Sequence, residues 1–354
     1  MVKLTFWEFI MKKSLFHLFF TVMMIFTVFS FFSCKDSARA KEVIVYTYDS
    51  FSGEWGPGNE LAAKFEAKTG YKLTFVGLDN AISALNRAKL EKNNVQADVI
   101  LGIDNNIAED AKKSGILAKY QPKDLNKIVS EALLNELDTE GFITPYDYSH
   151  FAMIYDTQSD IPAPSSIEDL AKDIYKKKII LMDPRTSTPG LGFLSWTVAL
   201  FGDDKDAFEQ FWSKMGENIL AMTPGWSSGW GMFLNNEAPL VISYITSPAY
   251  NVEYENDERY VALVFDEGHV QQVEGYALLK NAPNATGAKA FMDFMITKEA
   301  QECLPLTQWM YPVNTEVELP ESYKKAAPIP SVTLKTDVQK NAECLEKVME
   351  ILEK

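Results

Sequence analysis

The chain has few of the residues that most often hold transition metals. It contains three cysteines and three histidines among 354 residues, with no CxxC pair and no HxxxH pair. Metal sites in proteins need closely spaced thiolate, imidazole or carboxylate ligands. The sequence therefore favours no metal site.

The chain is also short of positive charge and of internal repetition. Lys and Arg number 34 against 49 Asp and Glu, which gives a formal net charge of −15. Proteins that bind nucleic acid usually carry a basic patch or stripe. None is visible here, so we expect no nucleic-acid partner and regard cations as the more natural ligands. Repeats and low-complexity segments are absent, and the length exceeds one ordinary domain, which predicts two lobes.

One long apolar run is present, at the N-terminus. A lysine-containing segment precedes residues 15–32, and the run stops immediately before Ser-Cys. This pattern predicts a bacterial lipoprotein signal peptide over residues 1–33, with Cys34 as the lipidated residue and residues 34–42 as a tether. The run is also just long enough for a transmembrane anchor, which is the alternative. Whether translation begins at the first methionine or at Met11 stays open.

Besides Cys34, the chain has two cysteines, Cys303 and Cys344. A lipoprotein signal directs the protein out of the cytoplasm and into a compartment where disulfides persist. A bridge between the two residues and a pair of free thiols both fit the sequence, because spacing alone does not establish a disulfide.

Strand-like and helix-like segments alternate along the rest of the chain, which predicts an α/β protein with a parallel sheet and ligand loops at the carboxyl ends of its strands. Residues 142–155 and 272–279 are extended and suit crossovers between two lobes, whereas the proline-containing residues 319–332 look like a linker. The other predicted strands are 43–48, 72–76, 98–102, 178–182 and 240–244, and the predicted helices are 59–69, 81–91, 287–295 and one after Pro189.

The segment Asp183–Gly192 (DPRTSTPGLG) has a pattern typical of the start of a helix, with Ser or Thr as N-cap and Pro at the first helical position. With Arg185 beside it, this helix start predicts an anion or phosphate cradle; an ordinary capped helix is the alternative. Several aromatic residues stand in loop-like segments beside Gly, Pro or Ser, which favours a flat organic ligand with an acceptor group such as phosphate. They are Trp55, Trp226, Tyr244, Tyr250 and Trp309.

Two further groups of residues suggest chemistry. Gly225–Gly229 (GWSSG) matches the GxSxG nucleophile elbow, so a serine hydrolase using Ser227 is one alternative function. A polar turn precedes the motif and only His269 follows it, which speaks against this alternative. Three carboxylates suit either a cationic ligand or a capping or solvated role: Asp104, Asp147 and Glu274.

Five segments in order give the chain a family resemblance: residues 45–58, 97–106, 183–192, 243–250 and 309–313. It resembles the extracytoplasmic thiamine-binding proteins of ABC importers, which are two-lobed periplasmic binding proteins. The resemblance implies an α/β fold with a ligand cleft between two lobes joined by hinge crossovers. The first lobe would hold residues 43–146 and 276–308, and the second residues 147–275 and 309–354.

The resemblance also implies a site and a biological setting. The ligand would be thiamine, thiamine monophosphate or thiamine diphosphate, with no cofactor and no catalysis. Five side chains would wall the ligand, Tyr48, Trp55, Tyr244, Tyr250 and Trp309, and two would reach its phosphate, Ser187 and Trp226. This is chemically sensible, since aromatic faces attract the thiazolium cation and stack on the aminopyrimidine.

One segment departs from the family pattern. The family commonly has an acidic residue followed by Gly near the phosphate, where this chain has Asp79-Asn80-Ala81. The preference among thiamine and its phosphates therefore stays open. We expect a monomer in the periplasm or cell envelope, anchored to a membrane by lipid, with an ABC permease as partner. A binder of another organic cation, such as a polyamine, is the alternative within the class.

Overall fold

The computed structural model describes residues 41–353, which form a mixed α/β protein. Its strands are β1 (Glu42–Tyr48), β2 (Lys72–Leu78), β3 (Val99–Asp104), β4 (Leu117–Ala118), β5 (Ile143–Asp156), β6 (Ile179–Met182), β7 (Ile219–Thr223), β8 (Leu240–Tyr244), β9 (Tyr260–Ala262), β10 (His269–Leu279), β11 (Tyr311–Pro312) and β12 (Thr333–Leu334).

Helices connect and cover these strands. They are α1 (Asp49–Ser52), α2 (Gly58–Thr69), α3 (Ala81–Leu90), α4 (Ala108–Lys113), α5 (Leu125–Ile128), α6 (Glu131–Leu137), α7 (Thr188–Phe201), α8 (Lys205–Asn218), α9 (Trp226–Leu234), α10 (Ala285–Met295), α11 (Lys298–Gln301), α12 (Glu321–Ala326) and α13 (Val338–Leu352). Short 3₁₀ segments cover Glu168–Ala171 and Asp173–Tyr175, and a π-helical turn covers Asn251–Glu255.

The main sheet has the strand order β2-β1-β3-β10-β5-β8-β6-β7. β1 runs parallel to β2 and β3, and β6 runs parallel to β7 and β8. Between these two parallel parts lie β10 and β5, which pair antiparallel with each other and with their outer neighbours. Parallel strands need helical crossovers that cover the sheet faces, so each parallel part acquires its own helices and its own core.

Two hydrophobic cores result, and β5 and β10 pass from one to the other. The start of β5 packs in the first core and its end, from Phe151, in the second. On β10, Val270 packs in the second core and Val273 in the first. We call the elements around β1–β3 the first lobe and those around β6–β8 the second lobe. The lobe boundaries named from the sequence stay a prediction.

Most predicted elements are confirmed, and the exceptions have physical causes. Residues 143–156 remain one strand despite Pro145, because this proline lies opposite Gly275 at an irregularity in the pairing of β5 with β10. The interpretation of residues 319–332 as a linker was wrong. They include α12, whose Tyr323 is buried against the second core and donates to the carbonyl of Pro305 at 2.8 Å.

The structure tests the prediction about the two cysteines but not the prediction about the N-terminal segment. The signal peptide, Cys34 and most of the tether lie outside the described residues. Among the helices of residues 41–353, none combines the length and the apolar character that a membrane span requires. Cys303 and Cys344 are free thiols, so the bridged alternative is excluded; burial raises the pKa of the Cys303 thiol to about 11.

Candidate functional site

A cleft of about 490 Å³ lies between the two cores. Its volume is within the range of pockets that hold small organic molecules. The structure brings all the sequence-predicted ligand residues to its lining: Tyr48, Trp55, Ser187, Trp226, Tyr244, Tyr250 and Trp309. They come from segments far apart in the chain and from both sides of the cleft.

Tyr48 ends β1 and supplies the first-lobe wall. Its hydroxyl lies 3.0 Å from the Tyr146 hydroxyl, donates to Glu274 Oε2 at 3.1 Å and accepts from Gln308 Nε2 at 2.5 Å. Gly102 on β3 has φ +112°, and a Cβ there would lie 3.0 Å from the Tyr48 ring. Glycine at this position therefore lets the ring pack closely against the sheet.

Trp55 lies at the rim of the cleft rather than inside it. Its side chain is 83% exposed, and it follows the short helix α1. Gly56 leaves no room for a Cβ, which would come 2.2 Å from the backbone oxygen of Ser50. The turn that carries Trp55 is therefore held by a close backbone approach that only glycine permits.

Trp309 supplies the opposite wall together with Tyr250. Their rings meet edge to face, with centroids 5.3 Å apart and an interplanar angle of 83°. Trp309 has φ +59°, an uncommon conformation for a residue with a side chain. Tyr254, in the π-helical turn, packs on both rings at 5.5 and 5.7 Å.

Ser187 is the N-cap residue of α7 by position, as predicted, with Pro189 in the first turn. Its hydroxyl makes no capping hydrogen bond, and Oγ is buried without a partner among the described residues. Arg185 does not join it. The Arg185 guanidinium forms an ion pair with Asp183 at 2.6 Å and does not line the cleft. The prediction that Arg185 contributes to an anion cradle was therefore wrong.

Trp226 begins α9 and stacks on Trp230, with ring centroids 5.6 Å apart and planes 11° from parallel. Its indole N–H donates to Ser243 Oγ at 2.8 Å. This N–H is therefore already used within the second lobe, while the Trp226 side chain lines the cleft. The structure does not support the expected role of the indole N–H as a free phosphate donor.

The three carboxylates noted in the sequence have different positions. Asp104 accepts from the backbone N–H groups of Asn106 and Ile107 at 2.9 and 3.1 Å, which is a capping role, and burial raises its pKa to about 6. Glu274 lines the cleft, and burial raises its pKa to about 8. Asp147 is fully buried beside it, and burial followed by the Glu274 charge raises its pKa well above the ordinary value.

Comparison with known proteins identifies the family of this chain. The family model of the bacterial extracellular solute-binding proteins matches residues 60–331. The chain is 37% identical to the thiamine-binding periplasmic protein of Brucella abortus, over 88% of this chain and 91% of that protein. It is 38% identical to the Escherichia coli protein of the same name, over 85% of this chain and 89% of that protein. A solved periplasmic thiamin binding protein superposes with a TM-score of 0.80 at 36% identity, over 88% and 95% of the two chains.

The chain is a bacterial extracellular solute-binding protein. Its relatives are named as binding proteins, and this solute-binding protein is not an enzyme. The periplasmic-binding-protein fold, with its mixed and curled sheet, agrees with the fold class expected from the sequence.

The geometry around Ser227 is consistent with a role other than catalysis. Contrary to expectation, a strand does precede the GxSxG turn, because β7 leads into α9. However, the Ser227 hydroxyl faces the Asp49 carboxylate at 3.4 Å. His269 bonds through both ring nitrogens elsewhere, Nε2 to the backbone N–H of Phe265 and Nδ1 to the carbonyl of Phe151, each at 2.8 Å. It therefore has no free nitrogen to activate Ser227.

The described part of this solute-binding protein also offers no cluster of three or more His, Cys, Asp or Glu side chains arranged to hold a metal ion. His150 packs where β5 leaves the first core, and its Nε2 lies 3.0 Å from Thr333 Oγ1. Burial lowers its pKa to about 4, so it stays neutral near physiological pH. A structural role fits this environment.

Sequence reasoning missed several cleft residues. Trp230 follows Trp226 by four positions, and that helical spacing is a signal that both rings share one face of α9. Gln272 and Gln308 also line the cleft, but an isolated glutamine carries no pattern in the sequence. Gln272 reaches the cleft because β10 crosses between the lobes there, and Gln308 belongs to the segment before β11 that also lines it.

Proposed function

We propose that this solute-binding protein captures thiamine in the interlobe cleft and delivers it to an ABC importer permease. The observation that carries the proposal is the convergence of seven aromatic side chains, from both lobes, on one cleft. Thiamine is a flat aminopyrimidine joined to a cationic thiazolium. Stacking suits the first ring and cation–π attraction suits the second, at about 0.5–2 kcal/mol per desolvated contact. The thiamine-binding relatives support the same ligand.

Phosphate esters of thiamine belong to the same proposal. Ser187 carries a buried hydroxyl oxygen without a partner, at the start of the 14-residue helix α7. A phosphate oxygen placed here would accept from this hydroxyl and face the positive end of the helix dipole. Asp79 and Ala81 line the facing first-lobe side of the cleft, so a carboxylate opposes this attraction.

Capture works by closure of the two lobes. Ligand contacts on both sides of the cleft stabilise the closed arrangement only to the extent that the open one lacks them. Asp49 and Ser227 already meet across the rim at 3.4 Å, which supports closure along this edge. β5 and β10 are the connections that have to bend.

Titration of the purified chain from residue 38 onward tests the ligand. Tryptophan fluorescence should change saturably with thiamine, because Trp226 and Trp309 line the cleft. Spermidine in place of thiamine tests the second candidate. A polyamine is favoured by the carboxylates on the cleft lining, Asp49, Glu54, Asp79 and Glu274. Saturation by spermidine with no response to thiamine would show that the cleft binds a polyamine and would overturn thiamine as the ligand.

The cellular location is proposed from the sequence and tested separately. The chain would be a monomeric lipoprotein of the periplasm or cell envelope, anchored through Cys34. Cys34→Ser should leave the protein uncleaved or release it from the membrane fraction, while thiamine binding by the chain from residue 38 onward is unchanged. Unaltered membrane association and processing of Cys34→Ser would contradict the anchor.

A further inference from the structure

Two carboxyl groups form a pair beneath the cleft, and we call them the floor pair: Glu274 and Asp147. They are direct partners in the antiparallel register of β10 with β5. Glu274 is 3% exposed and Asp147 is fully buried. Both therefore sit on the two strands that cross between the lobes, at the point where the cleft meets the crossovers.

The hydrogen bonds around the floor pair indicate a shared proton. Tyr48 donates to Glu274 Oε2 at 3.1 Å. By contrast, no donor group of residues 41–353 comes within hydrogen-bond geometry of either Asp147 oxygen. No ion pair in this part of the chain involves either carboxyl group. Two buried carboxylates in contact are strongly unfavourable unless a proton lies between them.

The titratable groups that face the floor pair are acidic or phenolic, and the neutral amide of Gln308 also acts on Asp147. These titratable groups are Tyr48 from β1, Asp104 from β3, Tyr146 from β5, Tyr244 from β8 and Tyr323 from α12. Burial, followed by the Asp104 charge, raises the pKa of Glu274 to about 8, against the hydrogen bonds from Tyr146 and Tyr48, which lower it. Burial followed by the Glu274 charge raises the pKa of Asp147 well above its ordinary value. A positive charge that could balance an ionised pair has to come from the cleft.

The floor pair lies where such a charge would be placed. Glu274 lines the same cleft as the aromatic walls Tyr48 and Tyr244. Rings at the sides attract a cation through their faces, and a carboxylate below adds a full opposite charge. The combination discriminates a cationic ring from a neutral one of the same shape, because only the cation offsets the free-energy cost of ionising the buried pair.

We propose that the floor pair recognises the positive charge of the ligand and releases its shared proton to solvent when the cation binds. This rests on the proposed function, since thiamine supplies the cation. The O–H bond of one carboxyl breaks, the proton passes to water, and the thiazolium becomes the counter-ion. No covalent bond to the ligand forms.

The sign of the pH dependence follows from proton release. Glu274 holds its proton below a pKa of about 8, so binding at lower pH has to expel that proton first. Affinity for thiamine should rise with pH and level off above about 8. For one linked proton the Kd changes about tenfold per pH unit on the acid side.

Calorimetry of thiamine binding to the chain from residue 38 onward, in two buffers of different ionisation enthalpy near neutral pH, measures the released proton directly. Wild type should release close to one proton. Glu274→Gln should release none, lose the pH dependence and bind about tenfold or more weakly at alkaline pH. Asp147→Asn removes the neighbouring charge, so its pH midpoint should shift to lower pH.

The controls separate this inference from the proposed function and from misfolding. Glu136→Gln changes a carboxyl that also has a raised pKa but does not line the cleft, so it should behave as wild type. Thermal melts of each variant check the fold. Thiamine binding without proton release, or with equal release from Glu274→Gln, would overturn the floor pair as cation recogniser. Absence of thiamine binding by wild type would instead overturn the proposed function.

Discussion

Trp309 shows how a single residue can be set for a ligand. Its φ of +59° is a conformation that costs on the order of 1–3 kcal/mol for a residue with a side chain. The surroundings maintain it. Its backbone N–H donates to Leu304 at 3.1 Å, and Tyr250 and Tyr254 hold the indole by edge-to-face contacts. Strain of this kind concentrates at binding sites because it holds a ring at an angle that relaxed backbone would not give.

Trp309→Ala should weaken thiamine binding by about 1–3 kcal/mol, since it removes one stacking wall. Calorimetry measures the loss, and a thermal melt checks that the fold is intact. Trp309→Phe keeps a ring and should recover part of the affinity. If Trp309→Ala binds as tightly as wild type, Trp309 belongs to the surrounding packing and not to the site.

Ser187→Ala should discriminate between thiamine and thiamine monophosphate. The Ser187 hydroxyl has no partner among the described residues, so its loss costs little unless a phosphate accepts from it. A hydrogen bond to a charged group contributes about 1.5–3 kcal/mol, which is a tenfold or larger selective weakening of the monophosphate.

The matched variant for this prediction is Trp226→Phe. The Trp226 N–H is bonded to Ser243, so Trp226→Phe should affect both ligands to a similar degree. Paired titrations of each variant provide the comparison. Equal losses for both ligands in Ser187→Ala would make the Thr186–Thr188 turn an ordinary helix start.

At the scale of elements, a buried hydrogen-bond chain joins the two lobes behind the cleft. Ser195 on α7 donates to Asn106 Oδ1 at 2.9 Å and accepts from Asn341 Nδ2 of α13 at 2.7 Å. Asn106 follows β3 in the first lobe, whereas α7 and α13 belong to the second. The C-terminal helix is therefore tied through one serine to the segment that follows a first-lobe strand.

Ser195→Ala should destabilise the protein by about 1–3 kcal/mol, because it leaves two buried asparagines without this partner. Urea unfolding monitored by circular dichroism gives the free energy of unfolding. Ser228→Ala is a suitable control, since Ser228 is exposed on α9 and bonds only to the carbonyl of Gly225. A loss no greater than that of Ser228→Ala would mean that the chain contributes nothing measurable to stability.

For the whole molecule, two cores joined by two long strands make ligand binding and stability interdependent. Each lobe has its own buried cluster, and a ligand between them adds contacts that neither lobe has alone. A ligand that binds only the folded chain stabilises it by about 2.7 kcal/mol at a concentration one hundred times its Kd.

Thiamine should therefore raise the melting temperature in a concentration-dependent manner, measured by calorimetric or fluorescence melts. Small-angle X-ray scattering of the same samples should show a smaller radius of gyration with thiamine, as closure requires. A melting temperature that rises without any change in scattering would support binding and contradict hinge closure.

Local pattern was sufficient for much of this protein. The strand and helix segments from β1 to β3 follow from periodic apolar residues and caps that act within a few positions, and the aromatic residues stand beside Gly, Pro and Ser. The resemblance carried by the five segments pointed to Tyr48, Ser187 and Trp309, which the structure brings to one cleft.

Only the tertiary structure decided what each of these groups has as a neighbour. It bonds the Trp226 N–H to Ser243, turns Arg185 toward Asp183 and places Glu274 opposite Asp147. The Arg185 contact is local, but the other two join residues brought together by the folding of the sheet, which no local pattern encodes. Burial is likewise a property of the packed molecule, and it is burial that raises the pKa of Glu274 to about 8.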